Sequence, residues 1–253
     1  MKTCIVLPTY NEAENLVPLV TQLVSLPLPD SHVLIIDDHS KDGTGKLADD
    51  LREKHPARVS VIHRPGKMGL GTAYVTGFRW AIERGADYVI QMDSDFSHSP
   101  NYLSQFVSKI KDYDVVVGSR YVPGGKLDPR WSGWRYFLSK WANSVWVHLL
   151  LGLQVRDATA GFKCWSRRAL EKISLNQVLS NGYVFQVEMA YFCEKNGLHI
   201  LEIPIYFEDR RIGKSKMSVP VKIEAAWRVL EIRLRYGALK HTSARVEFLR
   251  EPS

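Results

Sequence analysis

The chain has 253 residues, of which 45% are hydrophobic and 24% are charged, a balance that suits a folded protein with a sizeable core. Its three cysteines, Cys4, Cys164 and Cys193, form no CxxC pair, which argues against a disulfide framework and a zinc site and indicates a reducing environment. The longest apolar stretch, residues 145–153, is far shorter than the ~20 residues that cross a bilayer, and the chain starts with a strand-like run, so we expect neither a membrane span nor a signal peptide.

The net charge of +7 is concentrated in one part of the chain. Residues 210–240 hold nine Lys and Arg and two Glu, so this segment carries +7 and the remainder sums to zero. Four of these cations, Arg210, Arg211, Lys214 and Lys216, fall in a predicted loop with a glycine and two serines, a composition that suits phosphate. The sequence contains no recognised nucleic-acid module, so we expect an anionic partner other than nucleic acid.

Strand-like and helix-like segments alternate over the first 120 residues. The strand-like runs are 3–8, 32–37, 58–63, 87–92 and 114–119, and the helical segments are 12–25, 44–54, 70–84 and 100–110. Apolar runs without alternation are typical of strands buried on both faces. This βαβ series predicts an α/β fold with a doubly wound, mostly parallel sheet and helices on both faces.

The pattern changes beyond residue 120. Helices are predicted at 131–151, 184–196 and 219–236, and strands at 159–165 and 198–207. The last helix is amphipathic, and its Glu224/Arg228 and Glu231/Arg235 pairs at i,i+4 indicate a solvated face. The tail from His241 shows no periodicity, so no regular element is expected there.

Polar residues follow several predicted strands at the point where each strand ends. They are Pro8 to Glu12, Asp37 and Asp38, Asp93 to Asp95, and Gly118 to Arg120. Such residues also cap helices, as Ser99 before Pro100 is expected to do. In a doubly wound sheet, however, the ligand lies outside the carboxyl ends of the strands, and the convergence of these groups there favours a binding site.

Two of these residues, Asp93 and Asp95, predict a metal site. They flank a single residue directly after a strand, so both carboxylates are able to bind one hard cation. Mg²⁺ and Mn²⁺ prefer oxygen ligands and typically bridge protein carboxylates to phosphates.

Asp38, at another strand end, suits a ribose or base contact. The glycine run 66–71 matches no standard phosphate loop and predicts either a close backbone approach to a nucleotide or a loop that needs positive φ.

The predicted helix 131–151 contains four of the seven tryptophans. Its apolar stripe consists of Trp134, Phe137, Leu138, Trp141, Val145 and Leu149, and its polar stripe of Arg135, Ser139 and Asn143. A core helix would show the same periodicity. The tryptophan enrichment favours a helix that lies at a membrane interface.

Eight stretches resemble, in order, the dolichyl- or polyprenyl-phosphate mannose synthases, which are inverting glycosyltransferases of GT-A fold. They are LPTYNEAENL (7–16), IIDDHSKDGT (35–44), GKMGLGTAY (66–74), MDSDFSHSP (92–100), GSRYVPGG (118–125), DATAGFKCW (157–165), NGYVFQVEM (181–189) and FEDRRIGKSKMS (207–218). The resemblance implies transfer of mannose from GDP-mannose to a polyprenyl (dolichyl-type) monophosphate, with inversion and with Mg²⁺ or Mn²⁺.

The resemblance also implies roles for individual residues. The residues expected to bind the donor are Pro8, Tyr10, Glu12, Ile36, Asp38, Asp93, Ser94, Asp95, Arg210 and Lys216. The metal would be bound by Asp93 and Asp95, with Ser97 where some members carry a glutamine near the metal. The lipid phosphate would meet Arg120, Arg135 and Ser139, and the catalytic residues would be Asp95, Arg120 and Asp157. Asp157 would orient the sugar or a catalytic arginine, or would only be a turn residue at the start of a strand.

Two alternatives remain open at this point: a glucosyltransferase that uses UDP-glucose, and a non-catalytic module that binds a nucleotide or a lipid phosphate. Many members carry C-terminal transmembrane helices and this chain does not, so we expect peripheral attachment at the cytoplasmic face of a membrane, with a membrane-anchored subunit as a candidate partner. We expect one domain over residues 1–240, with a nucleotide-binding half at 1–120 and an acceptor- and membrane-facing half at 121–240, followed by a tail.

Overall fold

A computed structural model describes residues 2–28, 30–130, 147–180, 182, 184–209, 219–237 and 244–249 of the chain, without the side chains of residues 219–226. The ten strands in this part are β1 Thr3–Thr9, β2 Ser31–Asp37, β3 Val59–His63, β4 Tyr88–Gln91, β5 Val115–Ser119, β6 Lys126–Leu127, β7 Lys163–Ser166, β8 His199–Pro204, β9 Tyr206–Phe207 and β10 Arg245–Phe248. Its α-helices are α1 Ala13–Ser25, α2 Thr44–Lys54, α3 Leu70–Glu83, α4 Leu103–Lys109, α5 His148–Leu151, α6 Arg167–Lys172, α7 Val184–Lys195 and α8 Val219–Tyr236. Single 3₁₀ turns lie at Pro100–Tyr102 and Leu175–Gln177.

Eight of the strands form one sheet, in the order β10-β8-β5-β7-β4-β1-β2-β3. Strand β7 is antiparallel to both of its neighbours, and the other pairs described in this sheet are parallel. Strands β6 and β9 form a separate parallel pair. The mostly parallel sheet predicted from the sequence is therefore confirmed.

Each face of the sheet is covered by helices. Along β1, Val6 belongs to one hydrophobic cluster and Ile5 to the other, as the alternation of side chains across a strand requires. The cluster around Val6 includes residues of α3 and α7, such as Phe78 and Phe185, and the other includes residues of α1 and α4, such as Leu19. The doubly wound arrangement is confirmed as well.

The second half of the chain departs from the predicted elements in two places. The strand predicted at 159–165 begins only at Lys163, because the residues before it form a turn in which the Ala160 N–H donates to the Asp157 carbonyl. The strand predicted at 198–207 is divided into β8 and β9 at Ile205, whose N–H donates to the Ser119 carbonyl while the chain changes from one sheet to the other.

The tail also contains a regular element that the sequence does not predict. Residues Arg245–Phe248 pair with β8 at the edge of the large sheet, and the Leu249 N–H donates to the Glu202 carbonyl at 2.9 Å. The Tyr113 hydroxyl donates to the Glu247 carboxylate at 2.9 Å. A strand of four residues is too short to show a period in the sequence, which explains why the prediction is wrong here.

Candidate active site

The polar strand ends meet at one edge of the sheet. The carboxyl ends of β1, β2, β4 and β5 lie there, and so does the amino end of the antiparallel β7. The Ser94 hydroxyl, after β4, donates to the Pro8 carbonyl of β1 at 3.1 Å. The Arg120 N–H, after β5, donates to Asp157, which precedes β7, at 3.0 Å. The structure thus brings these predicted site residues together.

Asp93 and Asp95 are each held by hydrogen bonds. The Tyr74 hydroxyl donates to Asp93 Oδ1 at 3.0 Å, and the Asp93 N–H donates to His98 Nδ1 at 2.9 Å. Asp95 is only 5% exposed, and its Oδ1 accepts from both the N–H and the hydroxyl of Ser97, at 3.1 and 2.6 Å. Burial, and then the charge of Asp93, raise the pKa of Tyr74, so its phenol remains a donor. The two carboxylates are therefore fixed in place before any ligand binds.

The His98 ring forms one wall of this edge. It stacks on Phe162 with ring centroids 4.8 Å apart and meets Phe207 edge-on at 5.7 Å. Burial lowers the pKa of His98, although Asp93 and Asp95 act in the opposite direction. Because Nδ1 accepts a hydrogen bond, the proton of the neutral ring lies on Nε2.

The carboxylate oxygens of Asp93 and Asp95 suit a hard divalent cation that also binds a ligand. Among the residues that the structure describes, no cluster of three or more His, Cys, Asp or Glu side chains is suited to a metal. The Ser97 hydroxyl donates to Asp95, so it acts on the carboxylate itself. Mg²⁺ and Mn²⁺ typically take one or two carboxylates, keep several waters and bind phosphate oxygens, and two carboxylates at an open strand end match that demand.

Asp38 lies in a buried ion pair with Arg64. Arg64 Nε donates to Asp38 Oδ1 at 2.5 Å, and the Met68 N–H donates to Oδ2 at 3.1 Å. The remaining Arg64 nitrogens donate to the Thr72 hydroxyl and the Gly69 carbonyl, at 2.7 and 3.0 Å. Asp38 therefore ties the glycine run to the end of β2, and a nucleotide that contacts Asp38 would share the carboxylate with Arg64.

The glycine run has the positive φ of one predicted alternative, and its close approach is to the protein's own backbone. Gly69 has a φ of +97°, in the left-handed region that favours glycine. A Cβ on Gly71 would stand 2.2 Å from the Ser180 carbonyl oxygen, so close packing requires the glycine. The Lys67 ammonium lies 4.5 Å from the ring centroid of Tyr10, which places the run beside the end of β1.

Two further residues predicted to bind the donor have defined surroundings. Glu12 directly precedes α1, where its carboxylate accepts from the Asn15 side chain at 2.9 Å. Ile36 is fully buried in β2 and belongs to the cluster beneath α3, so its side chain is part of the core. Its carbonyl accepts from the Thr9 hydroxyl at 3.3 Å.

Arg120 and Asp157 form a two-pronged ion pair. Arg120 Nε donates to Asp157 Oδ2 at 2.8 Å, and Nη2 donates to Oδ1 at 2.7 Å and to the Thr159 hydroxyl at 2.7 Å. Asp157 is fully buried, and the Arg120 side chain is 11% exposed. Burial by itself would raise the pKa of Asp157, but Arg120 outweighs it and holds that pKa below the usual range. Of the alternatives for Asp157, the geometry agrees with orientation of an arginine.

Phe207 joins the two halves of this site. The Arg120 guanidinium lies 5.3 Å from the Phe207 ring centroid, and the His98 ring contacts the same ring edge-on. The His98 ring also accepts the Asp93 N–H. His98 and Phe207 therefore lie between the carboxylate pair and Arg120 and contact both. The arrangement can hold a cation with an anionic ligand on one side and a second anion near Arg120 on the other.

Four predicted site residues lie outside the described residues: Arg135, Ser139, Arg210 and Lys216. Most of the predicted interfacial helix 131–151 also lies outside them. Leu149, a member of its apolar stripe within α5, is 80% exposed. No helix in the described ranges is both long and apolar enough to cross a membrane.

The sequence-based prediction missed Tyr74, His98, Arg64 and Thr159. Arg64 directly follows β3, so the strand-end rule that singles out Asp38 would also have found it. His98 and Tyr74 fall within stretches already used for the resemblance, but their residue types alone do not reveal which backbone or carboxylate they contact.

Comparisons with known proteins place this geometry in context. The model of Glycosyl transferase family 2 matches residues 4–176. The chain is 44% identical to a polyprenol monophosphomannose synthase of Mycolicibacterium smegmatis over 92% of this chain and 88% of that protein. It is 43% identical to an undecaprenyl-phosphate mannosyltransferase of Micrococcus luteus over 89% of this chain and 91% of that protein.

Solved structures share the fold at low sequence identity. A mannosyltransferase from Pyrobaculum calidifontis, in complex with GDP-Man and Mn²⁺, matches with a TM-score of 0.62 and 16% identity over 96% of this chain, which spans 65% of that protein. A mannosyl-3-phosphoglycerate synthase from Rubrobacter xylanophilus matches with a TM-score of 0.68 and 18% identity, over 100% of this chain and 78% of that protein. These likenesses confirm the GT-A-type α/β fold.

Proposed function

The chain belongs to glycosyl transferase family 2, and we propose that it transfers mannose from GDP-mannose to a polyprenyl monophosphate, with inversion and with Mg²⁺ or Mn²⁺. The names of the relatives from M. smegmatis and M. luteus support a polyprenyl phosphate acceptor and mannose as the sugar. The P. calidifontis neighbour, which holds GDP-Man and Mn²⁺, supports the donor and the metal. The observation that carries the proposal is the meeting of Asp93 and Asp95 with the Arg120–Asp157 pair at one sheet edge.

The donor diphosphate would bind beside Asp93 and Asp95. A cation held there would neutralise charge that grows on the departing diphosphate. Hydrogen bonds from Tyr74 and Ser97 keep both carboxylates in position for it. Arg210 and Lys216, in the basic segment that holds the net positive charge, would contact the same diphosphate.

The acceptor phosphate would bind on the Arg120 side. Asp157 and Thr159 occupy Nε and Nη2 of Arg120, while Nη1 donates to none of the residues that the structure describes. That nitrogen is therefore suited to an anion that approaches the sugar. Arg135 and Ser139 would contact the same phosphate from the predicted helix 131–151.

The transfer itself needs no strong general base. A phosphate monoester is largely dianionic near pH 7, because its second pKa is about 6. One of its oxygens forms the new bond to the anomeric carbon as the bond from that carbon to the diphosphate breaks, and the electron pair leaves with GDP. Asp157 has a lowered pKa and accepts hydrogen bonds from Arg120 on both oxygens, so its part is to orient Arg120.

Exposed apolar side chains support peripheral attachment to a membrane. Helices α5 and α8 pack against each other, and Leu149, Trp227 and Leu234 on them are 80%, 66% and 82% exposed. Trp227 and Leu234 are seven residues apart, so they lie on one face of α8, and Arg228 and Arg235 follow them directly. An apolar face bordered by arginines suits the surface of an anionic bilayer, which we place at the cytoplasmic side.

Parallel transfer assays test the donor and the acceptor together. Purified protein is incubated with Mg²⁺, a short polyprenyl phosphate and labelled GDP-mannose, UDP-glucose or GDP-glucose, and the label in the organic phase is counted. We expect label from GDP-mannose alone. Label from UDP-glucose would make the chain a glucosyltransferase, and no label from any donor would support a module that only binds its ligands.

A further inference from the structure

We propose that two buried residues below the site, Glu202 and Lys163, are positioning residues that hold the backbone of residues 156–160 and thereby orient Arg120. The inference rests on the role proposed above for Arg120. Neither side chain touches the carboxylates at Asp93 and Asp95 in any contact that the structure gives for the described residues.

Glu202 holds the start of this segment. It lies in β8 with no exposed surface, and its Oε2 and Oε1 accept the N–H groups of Arg156 and Asp157 at 2.8 and 3.0 Å. The Asp157 main chain is therefore fixed from within the sheet, while its side chain binds Arg120. A shift of the Asp157 backbone would carry the arginine with it.

Lys163 holds the end of the same segment. Its ammonium is buried in β7 and donates to the Ala160 carbonyl at 2.7 Å and to Gln186 Oε1 at 3.0 Å. The same Gln186 oxygen accepts from Gln91 Nε2 at 2.7 Å, and Gln91 Oε1 accepts from the Trp165 indole at 3.2 Å. The carbonyl that Lys163 binds is thus part of a connected buried network.

The register of the sheet sets these residues side by side. Gln91 pairs with Lys163, Lys163 pairs with Val117, and Val117 pairs with Glu202, so the four lie in one row across β4, β7, β5 and β8. Paired residues point to the same face, which here is the one beneath α3 and α7. Three polar residues in one row of a buried sheet need a reason beyond packing.

Stability alone does not supply that reason. Burial raises the pKa of Glu202 to about 7 and lowers the pKa of Lys163 to about 8, which means that the interior disfavours the charged form of each. Apolar residues of similar volume often stabilise a core as well as or better than buried charges do. Each charged group instead matches the backbone groups that it binds: the Glu202 carboxylate accepts the N–H groups of the segment, and the Lys163 ammonium donates to its carbonyl. These hydrogen bonds fix the backbone geometry near Arg120.

Glu194 offers a matched control. It is also buried, and its Oε1 accepts the N–H groups of Gln154 and Val155 at 2.7 and 2.9 Å, directly upstream of the pair that Glu202 binds. Glu194→Gln removes the same kind of charge and contact without touching Asp157. A general loss of packing would affect both variants alike.

The decisive experiment measures transfer kinetics and thermal stability of Glu202→Gln, Lys163→Met and Glu194→Gln. We expect kcat to fall about 10- to 100-fold in the first two with the KM for GDP-mannose within about threefold, since small misplacements near reacting groups cost up to about 100-fold. Glu194→Gln should lower the melting temperature comparably and leave kcat within about twofold. Equal effects of Glu202→Gln and Glu194→Gln on kcat would overturn the proposal.

Measuring Glu202→Gln in a second mutant enzyme, Arg120→Lys, separates this inference from the role of Arg120. Residues that act through one another show non-additive effects, so Glu202→Gln should lower kcat less than about threefold in an Arg120→Lys enzyme. The same factor in both backgrounds would overturn the positioning role while leaving Arg120 in the site. If Arg120→Lys itself transfers mannose at the wild-type rate, the proposed role of Arg120 and the positioning role that rests on it both fail, while mannose transfer by the chain stands. Should Glu202→Gln not fold, Glu202→Asp, which keeps the charge on a shorter side chain, takes its place with the same expected outcomes.

Discussion

Replacing Asp157 with asparagine is expected to lower the free energy of unfolding by about 3–5 kcal/mol, the usual loss when one partner of a buried ion pair is removed. The carboxylate is fully buried and accepts three N–H groups of Arg120 together with the Thr159 hydroxyl. Asparagine keeps one acceptor oxygen but turns an NH₂ group towards a donor. The Arg120 side chain, only 11% exposed, then lacks its counter-charge.

The loss is measured by urea denaturation at pH 7, followed by far-ultraviolet circular dichroism. Glu171→Gln is the control, because its ion pair with Arg167 is exposed and should contribute no more than about 1 kcal/mol. In a double-mutant cycle with Arg120→Met, we expect a coupling of at least about 2 kcal/mol. A loss below about 1 kcal/mol for Asp157→Asn, or additive losses in the cycle, would refute a buried, interacting pair.

The sign of the pH dependence follows from the lowered pKa of Asp157. Burial opposes this shift, but Arg120 outweighs it, so the folded protein binds the proton of Asp157 more weakly than the unfolded chain does. The stability that the ion pair contributes is therefore present above the ordinary carboxyl pKa of about 4 and is lost as the pH falls through the folded value. The difference in stability between wild type and Asp157→Asn should shrink on acidification, and a difference that grows below pH 4 would contradict this.

Three further outcomes are expected. Gly71→Ala should lower the melting temperature, since its Cβ would stand 2.2 Å from a backbone oxygen, whereas Gly66→Ala has nothing within 4 Å and should be neutral in the same thermal scan. Serine at both Trp227 and Leu234 should weaken flotation with anionic liposomes without a comparable fall in melting temperature; unchanged flotation would remove α8 from the membrane contact. Burial raises the pKa of Glu202 from 4.5 to about 7, so its contribution to stability is full below pH 4.5 and is lost as the pH rises through 7. In denaturation curves, the wild type should therefore lose roughly 3 kcal/mol of stability relative to Glu202→Gln over that interval. A constant difference between the two proteins would contradict the raised pKa.

The first half of the fold is predictable because its signals are local. Apolar runs and helical periods recur within short windows, so β1 to β5 and the helices between them begin and end within a few residues of the predicted bounds. The helix predicted at 219–236 agrees with α8 at both ends, and its Glu231–Arg235 ion pair forms at 3.4 Å. Asp93 and Asp95 are predictable for the same reason, since they stand next to a strand whose end defines the site.

The remainder depends on contacts between distant segments. Arg120 and Asp157 are 37 residues apart, and Glu202 lies 45 residues beyond Asp157, so no local pattern joins them. The edge strand β10 is defined by its pairing with β8 rather than by its own sequence. The domain boundaries and the roles of all the predicted site residues, Arg135, Ser139, Arg210 and Lys216 among them, stay predictions.

In the proposed reaction, Asp93 and Asp95 hold a metal-bound donor from which mannose is transferred to a polyprenyl phosphate. The most direct measurement is the initial rate of label transfer from GDP-mannose by wild type, Asp95→Asn and Asp112→Asn, each with Mn²⁺ and with excess EDTA. Asp112 is an exposed control at the opposite end of β5. We expect EDTA to abolish wild-type transfer and Asp95→Asn to lower it by at least about 100-fold, as the loss of transition-state charge stabilisation does, with Asp112→Asn unaffected. Wild-type transfer that persists in EDTA, or an Asp95→Asn enzyme as active as Asp112→Asn, would contradict the claim.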